Sequence, residues 1–182
     1  MHGHAGVEVG LIGNEGMLGT SLILGVEVSS LHALGLGALQ RSAATRPVLA
    51  TLNAFRGQVF ARLVLPAGYT PEADLQRLLA EHPALLTDAV WAPAALAALL
   101  LPCAEQLGLC GGGLTSYPVL RLPGALVVDE DPAPHPLAVL QLGAARLHSG
   151  ESDSLAAASP NYICASAAEE NAATGRAVTG GS

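Results

Sequence analysis

The chain has 182 residues and a formal net charge of −7, with 51% hydrophobic and only 13% charged residues. This length suits one domain, or one domain with a fragment of a second. The negative net charge and the scattered positions of the eight basic residues argue against nonspecific binding of nucleic acid, because phosphate neutralisation needs clustered Lys and Arg.

Membrane insertion and secretion are also disfavoured. The longest apolar run, residues 91–101, contains Pro93 and is far shorter than the roughly 20 residues that a membrane-spanning helix needs. The N-terminus has no Lys or Arg ahead of a continuous apolar region, unlike a secretory signal. The three cysteines form an odd set without Cys-x-x-Cys spacing, a pattern typical of reduced thiols. We therefore expect a cytoplasmic protein.

The first predicted helix follows a glycine-punctuated start. Residues 1–25 hold short apolar pieces separated by glycines and predict no clear element. A serine pair beginning at Ser29 is a candidate N-cap for a helix over residues 31–40. Gly35 and Gly37 each weaken that helix by roughly 1 kcal/mol relative to Ala.

Residues 48–65 predict a β-hairpin around which the rest of the chain is organised. Its arms, residues 48–52 and 58–65, are rich in β-branched and aliphatic residues, and the link 53–57 contains Asn and Gly, which favour turn conformations. On the second arm, the two faces consist of Val59, Ala61 and Leu63 and of Phe60, Arg62 and Val64. Much of both faces is apolar, so we expect this hairpin to lie inside a sheet covered by helices.

Helices and strands alternate after the hairpin, which predicts an α/β fold. The first predicted element is a helix that is capped by Thr70, begins at Pro71 and is ended by Pro83. A short strand within 85–92 follows, and then a helix that begins at Pro93 and kinks or ends near Leu101. After a flexible break at 111–113, the sequence predicts strands at 119–122 and 125–128, a helix over 137–148 ended by Gly150, and a short strand at 160–164. The apolar face of the last helix is predicted to carry Leu140, Ala144 and Leu147. Residues 171–182 predict a disordered tail.

Sites for phosphate or metal have little support in the sequence. No Gly-x-x-x-x-Gly-Lys-Ser/Thr loop exists, so the glycine run 111–113 is better explained as a flexible loop. His2 and His4, or Cys103 and Cys110, lack a second spaced pair of metal ligands. The two cysteines are expected to pack as small hydrophobes.

Catalytic groups are equally hard to assign. Asp129, Glu130 and Asp131 end a predicted strand, where carboxylates can hold a metal or act as a base, but a run of acids before a Pro-rich loop is more often a solvated turn. The serines at positions 29, 116 and 166 belong to no Gly-x-Ser-x-Gly pattern. The absence of a self-evident catalytic centre favours a binding or scaffold role.

Residues 53–60, Asn-Ala-Phe-Arg-Gly-Gln-Val-Phe, resemble the TsaB (YeaZ) family, the glycoprotease-like subunit of the bacterial machinery that makes threonylcarbamoyladenosine in tRNA. Family members carry Asp-Ala-Arg after a strand, then a Gly, Glu or Gln, Val and an aromatic residue. Here Asn53 replaces the acid and Phe55 replaces the first basic residue. Three further segments resemble the family in its order: residues 25–34, similar to Gly-Val-Ser-Ser-Leu-x-Ala-Leu; residues 137–150, similar to its late Ala/Leu/Arg helix; and residues 160–164, similar to its closing Pro-x-Tyr-Leu-Arg, with Cys164 where Arg is usual.

The resemblance implies an α/β fold, namely the C-terminal half of an actin-like ATPase (RNase H-like) fold with an incomplete N-terminal subdomain. The family's first strand, with Ile-Asp-Thr-Ser, and its Gly-Pro-Gly-Ser-x-Thr-Gly-x-Arg loop do not occur in this chain. The expected domains are an atypical segment 1–47, a TsaB-like α/β domain 48–170 and the tail 171–182.

The resemblance also implies a non-catalytic scaffold. In that role the chain supports threonylcarbamoyl transfer to adenosine 37 of tRNA through a TsaD-like catalytic subunit, with a TsaE-like ATPase and a second copy of the chain as further partners. We expect no catalytic residue, cofactor or metal, and no direct contact with nucleic acid or membrane. A partner interface is expected at Leu31 and Leu34, because an apolar helix without its original half needs a cover.

Two alternatives remain open. The family's old glycoprotease label suggests a peptidase or hydrolase, which would require a metal or a catalytic triad. Residues 7–19 resemble part of the sensor domain of Crp/Fnr regulators, a resemblance that covers at most about the first 40 residues and predicts a jelly-roll β structure. It would give residues 1–24 a different origin from the rest.

Overall fold

The computed structural model describes residues 7–13, 22–42, 45–131, 133–151 and 153. Their strands are β1 (Val7–Gly13), β2 (Leu22–Val28), β3 (Val48–Phe55), β4 (Gln58–Val64), β5 (Ala89–Trp91), β6 (Gly108–Cys110) and β7 (Leu126–Asp129). Their helices are α1 (Ser30–Ser42), α2 (Ala73–Glu81), α3 (Pro93–Leu100), α4 (Gly113–Ser116) and α5 (Pro136–His148), with 3-10 helices at Pro83–Leu86, Leu101–Gln106 and Pro118–Leu120. Within this part of the chain no helix is long and apolar enough to cross a membrane.

A five-stranded sheet in the order β5-β4-β3-β6-β7 forms the centre of the fold. The predicted hairpin is confirmed: β3 and β4 pair antiparallel, with Val48 opposite Val64. On its other side β3 pairs parallel with β6, and β6 pairs parallel with β7. The predicted α/β class is therefore confirmed. Because β3, β6 and β7 run in one direction, their carboxyl ends meet at the same edge of the sheet.

Side chains that alternate along the hairpin fill two cores, one on each face of the sheet. On one face Leu49, Val59, Ala61 and Leu63 pack with Leu75 of α2 and Leu96 and Leu100 of α3. On the other face Val48, Ala50, Leu52 and Val64 pack with Leu31, Leu34 and Ala38 of α1. Burial of each large aliphatic side chain in this way contributes roughly 1.5–3 kcal/mol to the free energy of folding. The expectation of a sheet covered by helices is confirmed.

The N-terminus of α1 has the predicted cap. The Ser29 hydroxyl accepts a hydrogen bond from the backbone N–H of His32 at 3.0 Å, which satisfies one of the free donors of the first turn. Gly35, in contrast, has a packing role. A Cβ atom at this position would lie 2.5 Å from Cγ2 of Val64, so the glycine that weakens the helix also lets it approach β4 closely.

Helix α5 covers the outer side of α1 with small residues. Ala138 and Val139 pack against Ala33 of α1 and Val28 of β2. Leu140, predicted on the apolar face of this helix, is 52% exposed, so that face is not packed on the core at this position. Leu36 of α1 and Leu142 of α5, both partly buried, also pack against this cluster.

An antiparallel pair, β1 and β2, lies beside α5 and forms a sheet of its own, with Val7 opposite Val28. Arg146 of α5 connects that helix to the pair, because it donates a hydrogen bond to the backbone oxygen of Glu27 in β2 at 2.6 Å. It also donates to the Asp153 carboxylate at 2.9 Å. The described residues form a mixed parallel and antiparallel five-stranded sheet with helices, and the separate pair β1 and β2, not a jelly roll. The Crp-like interpretation is therefore unsupported.

Several sequence-based boundaries are confirmed and others are wrong. The elements predicted from Pro93, at 125–128 and at 137–148 occur as α3, β7 and α5, and Gly150 follows α5 with φ +81°. Helix α2 begins at Ala73 after Glu72, so Thr70 is not its cap. Residues 83–86 are a 3-10 helix, which leaves only β5 as the strand predicted within 85–92. Residues 118–120 form a 3-10 turn rather than a strand, since Pro118 fixes a helical φ and Leu120 turns into the core. The segments at 160–164 and 171–182 lie outside the described residues.

The glycine run at 111–113 is not a flexible break. Gly111 has φ +95°, and a Cβ atom there would lie 2.2 Å from the backbone oxygen of Thr51. A Cβ atom at Gly113 would lie 2.7 Å from Oγ1 of the same threonine. The N–H of Gly111 also donates to the backbone oxygen of Asp129 at 2.8 Å. These glycines are therefore required for close approach of the loop to β3.

Replacing Gly111 by Ala is expected to lower the free energy of unfolding by at least about 3 kcal/mol, because strain at positive φ adds to a backbone clash. The matched control is Gly57→Ala, at φ +76° with nothing within 4 Å of the added Cβ atom. That control should cost only about 1–2 kcal/mol. Urea denaturation of both variants measures the difference, and equal losses would contradict the close packing of Gly111.

Candidate functional site

The carboxyl edge of the sheet is the natural place to look for a ligand site. In open α/β sheets ligands bind in the crevice at the point where the strand order reverses, which here lies between β3 and β6. Thr51 of β3 is fully buried at this point, and its hydroxyl donates to the backbone oxygen of Cys110 at 2.9 Å. The backbone of Gly111 and Gly113 lies directly on Thr51. The loop after β6 therefore fills the crevice.

Asn53, two residues further along β3, has a structural role. Its Oδ1 accepts from the hydroxyl of Tyr117 at 3.0 Å and from the backbone N–H of Phe55 at 2.8 Å. An amide oxygen in this position holds the end of the strand but cannot take up a proton as a carboxylate can. Asn53 is thus a turn-stabilising group at the edge of the sheet.

The tip of the β3–β4 hairpin is strained and exposes an aromatic ring. Phe55, Arg56 and Gly57 have φ of 61°, 50° and 76°. Positive φ is therefore adopted by Phe55 and Arg56, not by Asn53 as the turn composition suggests. A bulky residue at positive φ is a genuine outlier, and such strain persists at recognition and switch sites. The Phe55 side chain is also 59% exposed.

The three acids at the end of β7, Asp129 in the strand and Glu130 and Asp131 after it, form the solvated turn that the sequence favours. Asp129 Oδ1 accepts from the backbone N–H of Asp131 at 2.9 Å, and its other oxygen pairs with Arg41. Glu130 pairs with Arg121 at 2.7 Å. Each of these carboxylates thus serves the local fold.

Electrostatics at this turn follow from those contacts. The backbone N–H of Asp131, and after it the Arg41 guanidinium, hold the pKa of Asp129 below its ordinary value. The Arg121 guanidinium does the same for the pKa of Glu130. Both groups are therefore ionised at neutral pH and act as partners of cations rather than as proton donors.

A second polar cluster lies at the N-terminus of α1. The Ser29 hydroxyl donates to Asp88 at 2.8 Å, and Arg62 of β4 pairs with the same carboxylate oxygen at 3.0 Å. Burial, and then the charge of Arg62, lower the pKa of His32, although Asp88 opposes the shift. Ser29 donates to a carboxylate and not to an imidazole, so the cluster lacks the serine-to-histidine bond of a nucleophilic triad.

Leu31 and Leu34, the expected interface residues, lie inside the chain's own core. Their exposed fractions are 4% and 0%, and they pack against β3 and β4. The opposite side of the same helix is covered by α5. The chain itself thus supplies the cover that was expected from a partner. A partner could contact these two side chains only after α1 had left the sheet.

A polar groove of about 560 Å³ lies at the opposite, amino-terminal edge of the sheet. Arg46, Tyr69, Glu72 and Glu105 contribute to its lining. Arg46 donates to the backbone oxygen of Glu105 at 3.0 Å, and burial followed by the nearby charge of Glu72 raises the pKa of Tyr69. The groove brings together groups that sequence reasoning did not connect.

The cysteines behave as predicted where they are described. Cys103 and Cys110 are buried free thiols within the apolar clusters. Burial, with the charge of Asp129 as a smaller cause, raises the pKa of Cys110 to about 12, which keeps the thiol protonated and unreactive. Cys164 lies outside the described residues, as do His2, His4 and Ser166. Within the described part of the chain, no group of three or more His, Cys, Asp or Glu residues could hold a metal ion.

Comparison with known proteins shows which solved structure has a similar architecture. No family model and no curated protein matches the chain. Among solved structures, the chain is similar to an uncharacterized protein with similarity to peptidase YeaZ from Pseudomonas aeruginosa, at 24% sequence identity and a TM-score of 0.53. The match covers 75% of this chain and 57% of that one. The chain thus has the α/β fold of a YeaZ-like structure and spans little more than half of its length.

Local sequence could reveal only part of this arrangement. The Tyr117–Asn53 and Asp88–Arg62 contacts join residues 64 and 26 positions apart, and no pattern in the sequence connects them. The strain at Phe55 was also missed. Its only signal is the Phe and Arg that stand between Asn53 and Gly57, where residues tolerant of positive φ would be usual.

Phe55→Asn is expected to raise the free energy of unfolding by up to about 1 kcal/mol, because Asn tolerates positive φ and little packing is lost at an exposed position. Thermal or urea denaturation measures the change. A clear loss of stability would show that the Phe55 ring contributes packing that outweighs the strain.

The lowered pKa of His32 predicts a pH dependence of stability. In the unfolded chain this imidazole has the ordinary histidine pKa of 6.5, so the unfolded chain binds a proton before the folded chain does as the pH falls. The free energy of unfolding should accordingly decrease as the pH falls from above 6.5 towards the lower pKa of the folded state. His32→Gln should flatten this slope in urea denaturation between pH 7.5 and 5.5, a window of about one unit to either side of 6.5. An unchanged slope would contradict the assignment.

Proposed function

We propose that this chain is a non-catalytic scaffold subunit of TsaB type, which supports threonylcarbamoyl transfer to adenosine 37 of tRNA through a TsaD-like catalytic partner. The observation that carries the proposal is the fold likeness to a YeaZ-like structure. The ordered resemblance of residues 25–34, 53–60 and 137–150 to the TsaB family supports it independently.

The geometry of the sheet edge supports a scaffold rather than a catalyst. The crevice between β3 and β6 is filled by Gly111 and Gly113, which lie on Thr51. The nearby Asn53 is engaged by Tyr117 and cannot serve as a base. The acids at the end of β7 are likewise engaged in the turn that they form. These groups stabilise the fold, and the chain's contribution would then be a surface.

Phe55 is the residue that we place in the contact with the catalytic partner. Exposed aromatic residues dominate the energetics of many protein interfaces. The ring is held outward by a strained turn, and that turn is itself fixed by the hydrogen bond from the Phe55 N–H to Asn53. The site takes the place of Leu31 and Leu34, whose side chains are buried. A TsaE-like ATPase would join the complex through the catalytic subunit.

The test is a pull-down of the full chain with the cognate TsaD-like subunit, followed by size-exclusion chromatography with light scattering. The wild-type chain should form a stoichiometric complex, and Phe55→Asn should weaken it by at least about tenfold. The matched control is Val119→Asn, since Val119 is 52% exposed on a different element and its replacement should leave the complex intact.

Outcomes separate the parts of this proposal. Failure of the folded wild-type chain to bind would contradict the scaffold role. Binding of Phe55→Asn with wild-type affinity would contradict the assigned contact. Restoration of tRNA threonylcarbamoylation, in a reconstituted system that lacks only this subunit, provides the functional readout.

A further inference from the structure

The polar groove at the amino-terminal edge of the sheet holds two carboxylates that the fold does not use. Glu72 and Glu105 both line it. Glu72 precedes α2 as its N-cap residue, but its side chain makes no capping hydrogen bond. Within the described part of the chain, neither carboxylate forms a hydrogen bond or an ion pair. Asp88, Asp129 and Glu130, in contrast, each pair with an arginine.

The backbone around the groove determines where the Glu105 carboxylate lies. Glu105 belongs to the 3-10 helix Leu101–Gln106, and its backbone oxygen accepts a hydrogen bond from Arg46 at 3.0 Å. Gly124, at φ +85°, lies beside its side chain, because a Cβ atom there would be 2.9 Å from Cγ of Glu105. The glycine therefore leaves the space that the Glu105 side chain occupies.

Arg46 and Tyr69 add hydrogen-bond donors to the same groove. Arg46 is half-buried, and its guanidinium makes no other hydrogen bond within the described ranges than the one to Glu105. Burial, and then the charge of Glu72, raise the pKa of Tyr69, so its hydroxyl stays protonated and can donate. The groove thus combines two carboxylates, one guanidinium and one phenol.

We propose that this groove binds a free dibasic amino acid, such as lysine or arginine. The α-carboxylate of the ligand pairs with Arg46, and its two cationic groups pair with Glu72 and Glu105. Each charge of the ligand then meets an opposite charge of the groove. A volume of about 560 Å³ is within the range of about 300–1,000 Å³ that is typical of small-molecule sites. The inference goes beyond the scaffold function and does not depend on it.

Other classes of ligand fit these groups less well. A phosphate or another simple anion would meet two carboxylates and a single guanidinium. A diamine without a carboxylate would leave Arg46 facing a like charge. A metal ion lacks ligands, since the described residues hold no group of three or more His, Cys, Asp or Glu that could bind one.

Gln106 supplies a further acceptor at the groove. It contributes to the lining, and its Oε1 is buried without a hydrogen-bond partner among the described residues. A buried acceptor without a donor costs about 1–3 kcal/mol in folded proteins. A small shift of the amide towards a bound ammonium group would supply the missing donor.

A ¹⁵N–¹H NMR titration of the full chain with L-lysine tests the site, at a constant ionic strength of about 0.1 M to screen distant charges. The dissociation constant should be on the order of 1 mM, because exposed ion pairs are individually weak. Glu105→Gln should raise it at least about fivefold while keeping the backbone oxygen that Arg46 binds. The matched control is Glu81→Gln, which removes an exposed carboxylate at the end of α2, outside the groove, and should change nothing.

Two analogues of lysine test the assigned contacts. Cadaverine lacks the carboxylate and L-norleucine lacks the side-chain ammonium group, so each should bind at least about fivefold more weakly than lysine. Absence of lysine binding to the folded chain, or equal losses in Glu105→Gln and Glu81→Gln, would overturn the site. Cadaverine bound as tightly as lysine would overturn the pairing of the α-carboxylate with Arg46.

Discussion

The contact of Thr51 with the loop after β6 is the constraint on which the rest of the structure depends. Thr51 is buried in the middle of the central strand, and its hydroxyl binds the last carbonyl of β6. Because Gly111 and Gly113 have no Cβ atom, the loop approaches Thr51 more closely than other residues would allow. This contact fixes β6 in parallel register with β3 and fills the crevice that α/β folds commonly use for ligands. Groups that could contact another molecule therefore lie on the surface and not in this crevice.

That surface divides into polar groups that serve the fold and apolar groups that do not. Asp88, Asp129 and Glu130 each bind an arginine of their own chain. In contrast, Phe55 and Leu140 are more than half exposed. Isolated exposed apolar residues are ordinary, but a bulky aromatic residue held at positive φ, as Phe55 is, is a genuine outlier.

Local patterns predicted the parts of the fold that local physics determines. Period-two alternation gave the correct faces of β4, and the serine before α1 gave its cap, because both depend on neighbours in sequence. The glycine run was predicted wrongly, since the same residues permit either mobility or close approach and the decision rests with Thr51, 60 positions away from Gly111. Likewise, the apolar character of α1 was correctly predicted, whereas its cover by α5 of the same chain depends on tertiary packing. The strain at Phe55 escaped prediction because composition alone assigns positive φ to Asn and Gly.

The most direct test of this account is native-state hydrogen exchange at the amide of Gly111, measured by NMR. If the loop is packed on Thr51 and its N–H is bonded to Asp129, that amide should exchange as slowly as the amides of the central strand β3, through global unfolding. Exchange as fast as at Gly57, in the open hairpin tip, would show that the loop moves freely. In that case the crevice between β3 and β6 would be accessible, and the central claim that this edge is closed would be contradicted.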